Sequence, residues 1–216
     1  MPAEISSAFA SEVLATLTAA ANTLCPRLKN TSESTPATPD GQTVTAALLA
    51  AEKAAKQQRL TYALDDLIGT WRLCFTAPKK PRYQAGQPQG SGFYVPTLAA
   101  ARIGFYPAAD LPSGITIRNQ LQVGPLQITF TGPARYTGKK NLLVFDFNHL
   151  LVKVGALTLY SGGVRSAVPK GTDFAAAPIG KLPFFAFFLA CPDYVAARGR
   201  GGGLALWVRE GSTPEE

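Results

Sequence analysis

Side chains able to do acid–base, nucleophilic or metal chemistry are few and scattered along the 216 residues of this chain. His149 is the only histidine, which excludes any site built on two imidazoles. Its neighbours place it as a polar residue at a strand end. Cys25, Cys74 and Cys191 are far apart and odd in number, form no CxxC pair, and read as small buried hydrophobes. Asp146, Asp173 and Asp193 are the candidate carboxylates of the C-terminal half, and their spacing gives no support to paired-carboxylate chemistry. The run from Gly132 to Lys140 resembles a phosphate loop but has five residues between its glycines where the motif needs four. Lys140 also stands where Ser or Thr should hold magnesium, and no strand–loop–helix unit surrounds it. Gly199-Arg-Gly-Gly-Gly203 lacks dinucleotide-binding spacing and reads as a hairpin turn. No GxSxG elbow occurs. The chain is expected to be no enzyme, and to hold no metal and no cofactor.

Charge and composition point to a surface partner instead. Apolar residues make up 46% and charged residues only 16%, with a net charge of +7. Residues 1–66 carry −2, whereas residues 67–216 carry +9. A basic, acid-poor body favours an anionic partner. Nucleic acid is set aside because no recognition helix, zinc finger or RNP-like motif is present. An anionic membrane fits the unusually apolar composition better. No apolar run is long enough for a bilayer-spanning helix, so attachment would be peripheral. With Glu4 and Glu12 ahead of its first arginine, the N-terminus is expected to carry no signal or transit peptide.

These features need elements to hold them. Leu67 to Thr76 alternates with period two, setting Trp71, Leu73 and Phe75 on one face and Thr70, Arg72, Cys74 and Thr76 on the other. Gly69 lets the backbone pass close to whatever covers the indole. The spacing of Ile5, Phe9, Val13, Leu14, Leu17 and Leu24 predicts a helix over 4–24, ended by Pro26. Thr43 to Gln58 predicts a second, and a polar Pro/Ser/Thr linker at about 30–41 separates them. Residues 93–106 are ambiguous between strand and short helix. Strands follow over 115–123, 126–131, 142–152 and 157–160. In the run 182–190, Phe185, Phe187 and Leu189 would point one way and Phe184, Ala186 and Phe188 the other. Lys79, Lys80 and Arg82 open a long loop and are either a solvated turn or phosphate contacts. The division is a helical region over 1–62, a β domain over 63–212 and a short tail over 213–216. Antiparallel-compatible strands with short turns predict a barrel or sandwich, with a barrel preferred because the Trp71 strand carries no edge protection.

Two stretches carry a resemblance. Leu67-Ile-Gly69-Thr-Trp71-Arg-Leu-Cys-Phe75-Thr is similar to the opening L-x-G-x-W-x-L-x-Y/F-T of the plastid lipid-associated protein (PAP/fibrillin) family. Cys191 to Trp207 resembles its closing pattern, best at Asp193, Arg198 and Gly199. The family's I-x-Q-x-I-D strand is not clear in the middle, and the missing transit peptide resembles the cyanobacterial members. The resemblance implies a mainly β fold with N-terminal helices, an antiparallel lipocalin-like (calycin) barrel. It also implies peripheral attachment at the cytoplasmic side of a thylakoid-type membrane, and a photoprotective role with carotenoids, quinones or similar lipids. In such barrels a cation covers the Gly-x-Trp of the first strand, and Arg198 is the family-matched candidate with Arg209 the alternative. Gly69, Trp71, Asp193, Arg198 and Gly199 would then close the fold.

Two functions follow. One is an apolar lipid or isoprenoid carrier whose barrel interior holds the ligand along Trp71, Phe75, Phe130, Phe145, Phe147, Phe185 and Phe187. Its head group would sit at the mouth near Lys79, Lys80 and Arg82. The other is a scaffold for membrane-associated enzymes, with a packed barrel and no ligand. An enzymatic calycin such as a bilin lyase ranks third. Interior volume separates the first two.

Overall fold

The computed structural model describes residues 8–24, 37–109, 111, 114–168 and 172–210. The expected start of the first helix at Glu4, most of the Pro/Ser/Thr linker, Cys25 and the C-terminal tail lie outside the described residues.

The described helices are α1 (Ser11–Ala21) and α2 (Gly41–Gln58). Asp40 caps α2 by accepting from the backbone N–H groups of Gln42 (2.8 Å) and Thr43 (3.0 Å), which hold its carboxyl below the usual range. The helix ends at Arg59 in a left-handed conformation. Val44, Ala47, Leu48, Ala51 and Ala55 form its buried stripe at three- and four-residue steps.

The strands are β1 (Gly69–Ala77), β2 (Arg82–Gln84), β3 (Gln87–Gln89), β4 (Phe93–Tyr94), β5 (Ala99–Pro107), β6 (Ile115–Val123), β7 (Leu126–Thr137), β8 (Leu142–Phe145), β9 (His149–Val154), β10 (Leu157–Gly163), β11 (Phe184–Ala190), β12 (Tyr194–Gly199) and β13 (Leu204–Arg209). Eight of them, β1, β5, β6, β7, β8, β11, β12 and β13, each pair antiparallel with the next, and β13 returns to β1. This is a closed up-and-down barrel of lipocalin-like form. The ambiguous stretch 93–106 resolves into β4 and most of β5. The stretch expected as one strand over 142–152 breaks in two at Asp146–Asn148, because β7 takes β8 as partner at one end and β9 at the other. The β9–β10 hairpin therefore leaves the barrel and widens its wall.

Two cores share this wall. The inner one holds Trp71, Ile103, Phe105, Ile117, Phe145, Phe187, Val195 and Trp207. The outer one packs α1 and α2 on the outside of β1 and β11 to β13, through Leu17, Leu48, Phe75, Leu189 and Leu206. Phe75 thus faces the helices, contrary to the alternation expected of its strand. A β-bulge between Leu73 and Phe75 inserts one extra residue, Cys74, and reverses the facing beyond it. A second bulge between Phe187 and Leu189 sends Phe188 and Leu189 to the helices while Phe185 and Phe187 stay on the inner side. Bulges are how a sheet turns the corners of a barrel, and the period-two pattern carries no mark of them.

Burial also fixes an alkaline limit to stability. It pushes the Cys191 thiol and the Tyr94 and Tyr136 hydroxyls up to about 12, and raises Cys74, Tyr62 and Tyr194 as well. Each group favours its protonated form in the folded state. The stabilisation is complete below the unfolded values, about 8.5 for cysteine and 10 for tyrosine, and is lost as pH rises through the folded ones. The urea midpoint is expected to be flat from pH 7 to about 8.5 and to fall steadily above it. A midpoint level up to pH 11 is incompatible with this account.

Candidate functional site

One end of the barrel is closed by the chain itself. Segment 60–68 passes beneath it, held by Asn141, whose Oδ1 accepts from Tyr62 N–H (3.1 Å) and whose Nδ2 donates to Leu60 C=O (2.7 Å). Tyr62 O–H donates to Phe188 C=O at 2.7 Å. Trp71 is fully buried and its Nε1–H donates to Leu67 C=O at 2.8 Å. The guanidinium over its ring belongs to Arg209, 4.0 Å from the ring centroid. Arg209 is fixed there by donating to the carbonyls of Pro192, Ile68 and Asp66. Gly69 makes the crossing possible: its φ is +125°, and a Cβ there would stand 2.8 Å from Arg209 Nη1.

Arg198, the family-matched candidate, does not cover Trp71. It lies towards the other end of β12 and pairs with Glu52 of α2 at 2.5 Å, tying helix to barrel. Sequence likeness could not separate the two arginines, because which one reaches the indole depends on strand direction. Asp193 is exposed and accepts from Arg209 N–H through its backbone carbonyl (2.7 Å), and Gly199 begins the β12–β13 turn. A cleft of about 600 Å³ beside this cap is lined by Tyr62, Asp65, Asp66, Cys191 and Arg209 among others. The raised Cys191 thiol stays protonated there at neutral pH.

From the capped end an aromatic series climbs the interior. Ring centroids lie 6.0 Å apart for Phe105–Phe187, 6.3 Å for Phe187–Phe185, 5.1 Å for Phe185–Phe145, 5.1 Å for Phe145–Phe147 and 5.6 Å for Phe147–Phe130. Trp207 joins it edge-on to Phe185 at 5.4 Å. All the candidate interior residues except Phe75 are therefore brought together on one surface. Almost no space is left between them: the gap lined by Ile103, Phe105, Phe185, Phe187, Val195 and Trp207 does not admit even a water molecule. Sites for drug-sized ligands are roughly 300–1,000 Å³. The depth of the barrel is too full for an elongated isoprenoid.

The apolar surface does not stop at Phe130. Cross-strand register carries it outwards in rows: Phe130 with Leu150, then Leu121, Ile128, Val152 and Tyr160, then Val123, Leu126, Val154 and Leu157. The opposite face of the same strands is Gln122, Gln127, Lys153 and Thr158. The outermost two rows are part-exposed to exposed, with Leu157 at 64%, and Leu159 in the β10 bulge is at 58%. The alternation of β6 and β7 was legible as a strand with an apolar face, but not that this face would be left uncovered. The only sequence signal was Leu157-Thr-Leu159-Tyr160, an apolar strand with no obvious further strand to pair it.

The basic loop ends at the same opening. Lys79, Lys80 and Arg82 are exposed, and Lys80 lies against Gly202 in the β12–β13 turn beside Arg200. Among the described residues no group of His, Cys, Asp and Glu side chains could hold a metal ion. No described helix is long and apolar enough to cross a membrane. No family model matches the chain, and no curated protein matches it.

Proposed function

We propose that this protein is a non-catalytic binder of apolar lipids, which it holds on the open inner face of β6, β7, β9 and β10 at the barrel mouth. The observation that carries this reading is the continuity of that face with the aromatic interior, with no described element over its outer rows. Monomeric soluble proteins rarely leave a contiguous apolar surface of this kind without a use for it. A chain lying from Leu157 towards Phe130 would bury apolar surface at roughly 25 cal/mol per Å², less the usual binding costs. Phe147 and Phe145 form the floor where the face enters the barrel. The likeness of Leu67–Thr76 and Cys191–Trp207 to PAP/fibrillin proteins supports a carotenoid or quinone as the ligand class. It also supports a thylakoid-type membrane and photoprotection as the setting.

The second reading, a scaffold for membrane-associated enzymes, is favoured by the small space left inside the barrel. A titration separates the two. A long-chain quinone added to delipidated protein without vesicles is expected to quench Trp207, which adjoins Phe185. Val152→Asp on the inner face is expected to weaken binding by tenfold or more, and Gln127→Asp on the opposite face to leave it unchanged. Absence of quenching in the parent protein leaves the scaffold.

A further inference from the structure

The described large apolar side chains that are exposed all lie at or near the open end, and none at the capped one. Leu98 (84% exposed) precedes β5, Val123 and Leu126 flank the β6–β7 turn, and Val154 and Leu157 flank the β9–β10 turn. These positions follow one another along half of the rim. The other half of the rim is basic. It is formed by the loop after β1, the β12–β13 turn and the approach to β11, and presents Lys79, Lys80, Arg82, Arg200 and Lys181 to solvent. Arg200 donates to the carbonyls of Lys181 and Gly180, which joins these loops into one surface. At the capped end Asp65, Asp66 and Asp193 accompany Arg209, Lys139 and Lys140, three acids to three bases, so cations are not in excess there.

From this division we infer that the molecule docks end-on against an anionic bilayer, with the open rim down and the capped end away. The apolar half enters the head-group layer and the basic half rests on lipid phosphates. A surface with both an apolar and a cationic half matches an interface that is itself part hydrocarbon and part anion. The depth is limited by β10, whose outer edge pairs with no other described strand: free N–H and C=O groups are tolerated among head groups and water but not in hydrocarbon. The inference rests on the apolar-lipid reading above, since it makes the bilayer the source of the ligand. It adds the surface used and the direction in which the inner face points.

Flotation of the full-length protein with phosphatidylglycerol-containing and pure phosphatidylcholine vesicles, at low and raised salt, tests it. Binding is expected to favour the anionic vesicles and to weaken with salt. Removing one cation costs roughly 5-fold, so Lys79→Glu with Lys80→Glu and Arg82→Glu should weaken binding on the order of 100-fold or more. Leu157→Asp with Leu159→Asp should abolish stable binding, and both sites are exposed enough to leave the thermal melt unchanged. Lys139→Glu with Lys140→Glu, at the capped end, should bind like the parent. Equal loss in the capped-end and open-end variants, or binding indifferent to lipid charge, overturns the orientation. So does a dimer that dissociates in the Leu157/Leu159 variant without any vesicle binding, because a second copy then covers the rim. Docking as expected without quinone quenching leaves the orientation standing and removes the ligand. Quenching without docking does the reverse.

Discussion

Trp71→Ala is expected to lower the unfolding free energy by about 3–5 kcal/mol, the range for truncating a fully buried aromatic side chain. The indole is completely enclosed, donates to Leu67 C=O and lies beneath the Arg209 guanidinium, so its loss empties the capped end and releases three contacts together. Arg209→Ala should cost less, about 1–3 kcal/mol, from the cation–π contact and the carbonyls it leaves without a donor. Arg198→Ala breaks a part-exposed pair with Glu52 and the hydrogen bonds donated to the carbonyls of Pro81 and Gly202, but leaves the indole covered, and should cost about 1 kcal/mol. Urea denaturation at neutral pH orders the three variants. If Arg198→Ala matches Arg209→Ala, the cap is misassigned.

Gly132→Ala is expected to be comparably severe, although it adds one methyl group. A Cβ at Gly132 would stand 2.0 Å from the backbone oxygen of Asp146 and 3.2 Å from Asn148 N. The obstruction is backbone and cannot rotate away. The segment 146–148 straddles this glycine, with Asp146 N–H donating to Pro133 C=O and Asn148 N–H to Thr131 C=O, each at 3.1 Å. Overpacking typically costs 1–3 kcal/mol, and a clash with backbone at a strand crossing should reach about 3 kcal/mol or more. The same variant should also weaken quinone binding, because this crossing sets the angle at which β9 and β10 leave the barrel. Wild-type stability with an alanine there removes the glycine from both roles.

The sequence made the outline of this fold readable because its signals were local. Trp71 and Leu73, and Ile115 and Ile117 of the alternating run, reappear with the facing their spacing predicts, and the helix expected over Thr43 to Gln58 forms over Gly41–Gln58. Phe75 and Leu189 do not, since one inserted residue reverses a strand's facing and leaves no trace in composition. The cap over Trp71 was half legible: Gly69 announced a close crossing, but choosing Arg209 over Arg198 needed the antiparallel register of β13 on β1. The open face was the least legible feature. Leu121, Ile128 and Val152 have the residue types of a core, and only the departure of β9 from β8 determines that nothing described covers the rows beyond them.

The strands β1, β11, β12 and β13 lie between two cores, with helices on one side and the aromatic series on the other. That arc of wall is a partition packed on both faces, and to move it is to disturb both cores at once. The facing arc, where β6 and β7 run out to the β9–β10 hairpin, has polar side chains behind it and an uncovered surface in front. Displacing the partition, at the back, would therefore disturb more packing than displacing the front. On the proposed reading, an enlargement of the mouth to seat a ligand would come from the front, with the indole and its arginine in place behind.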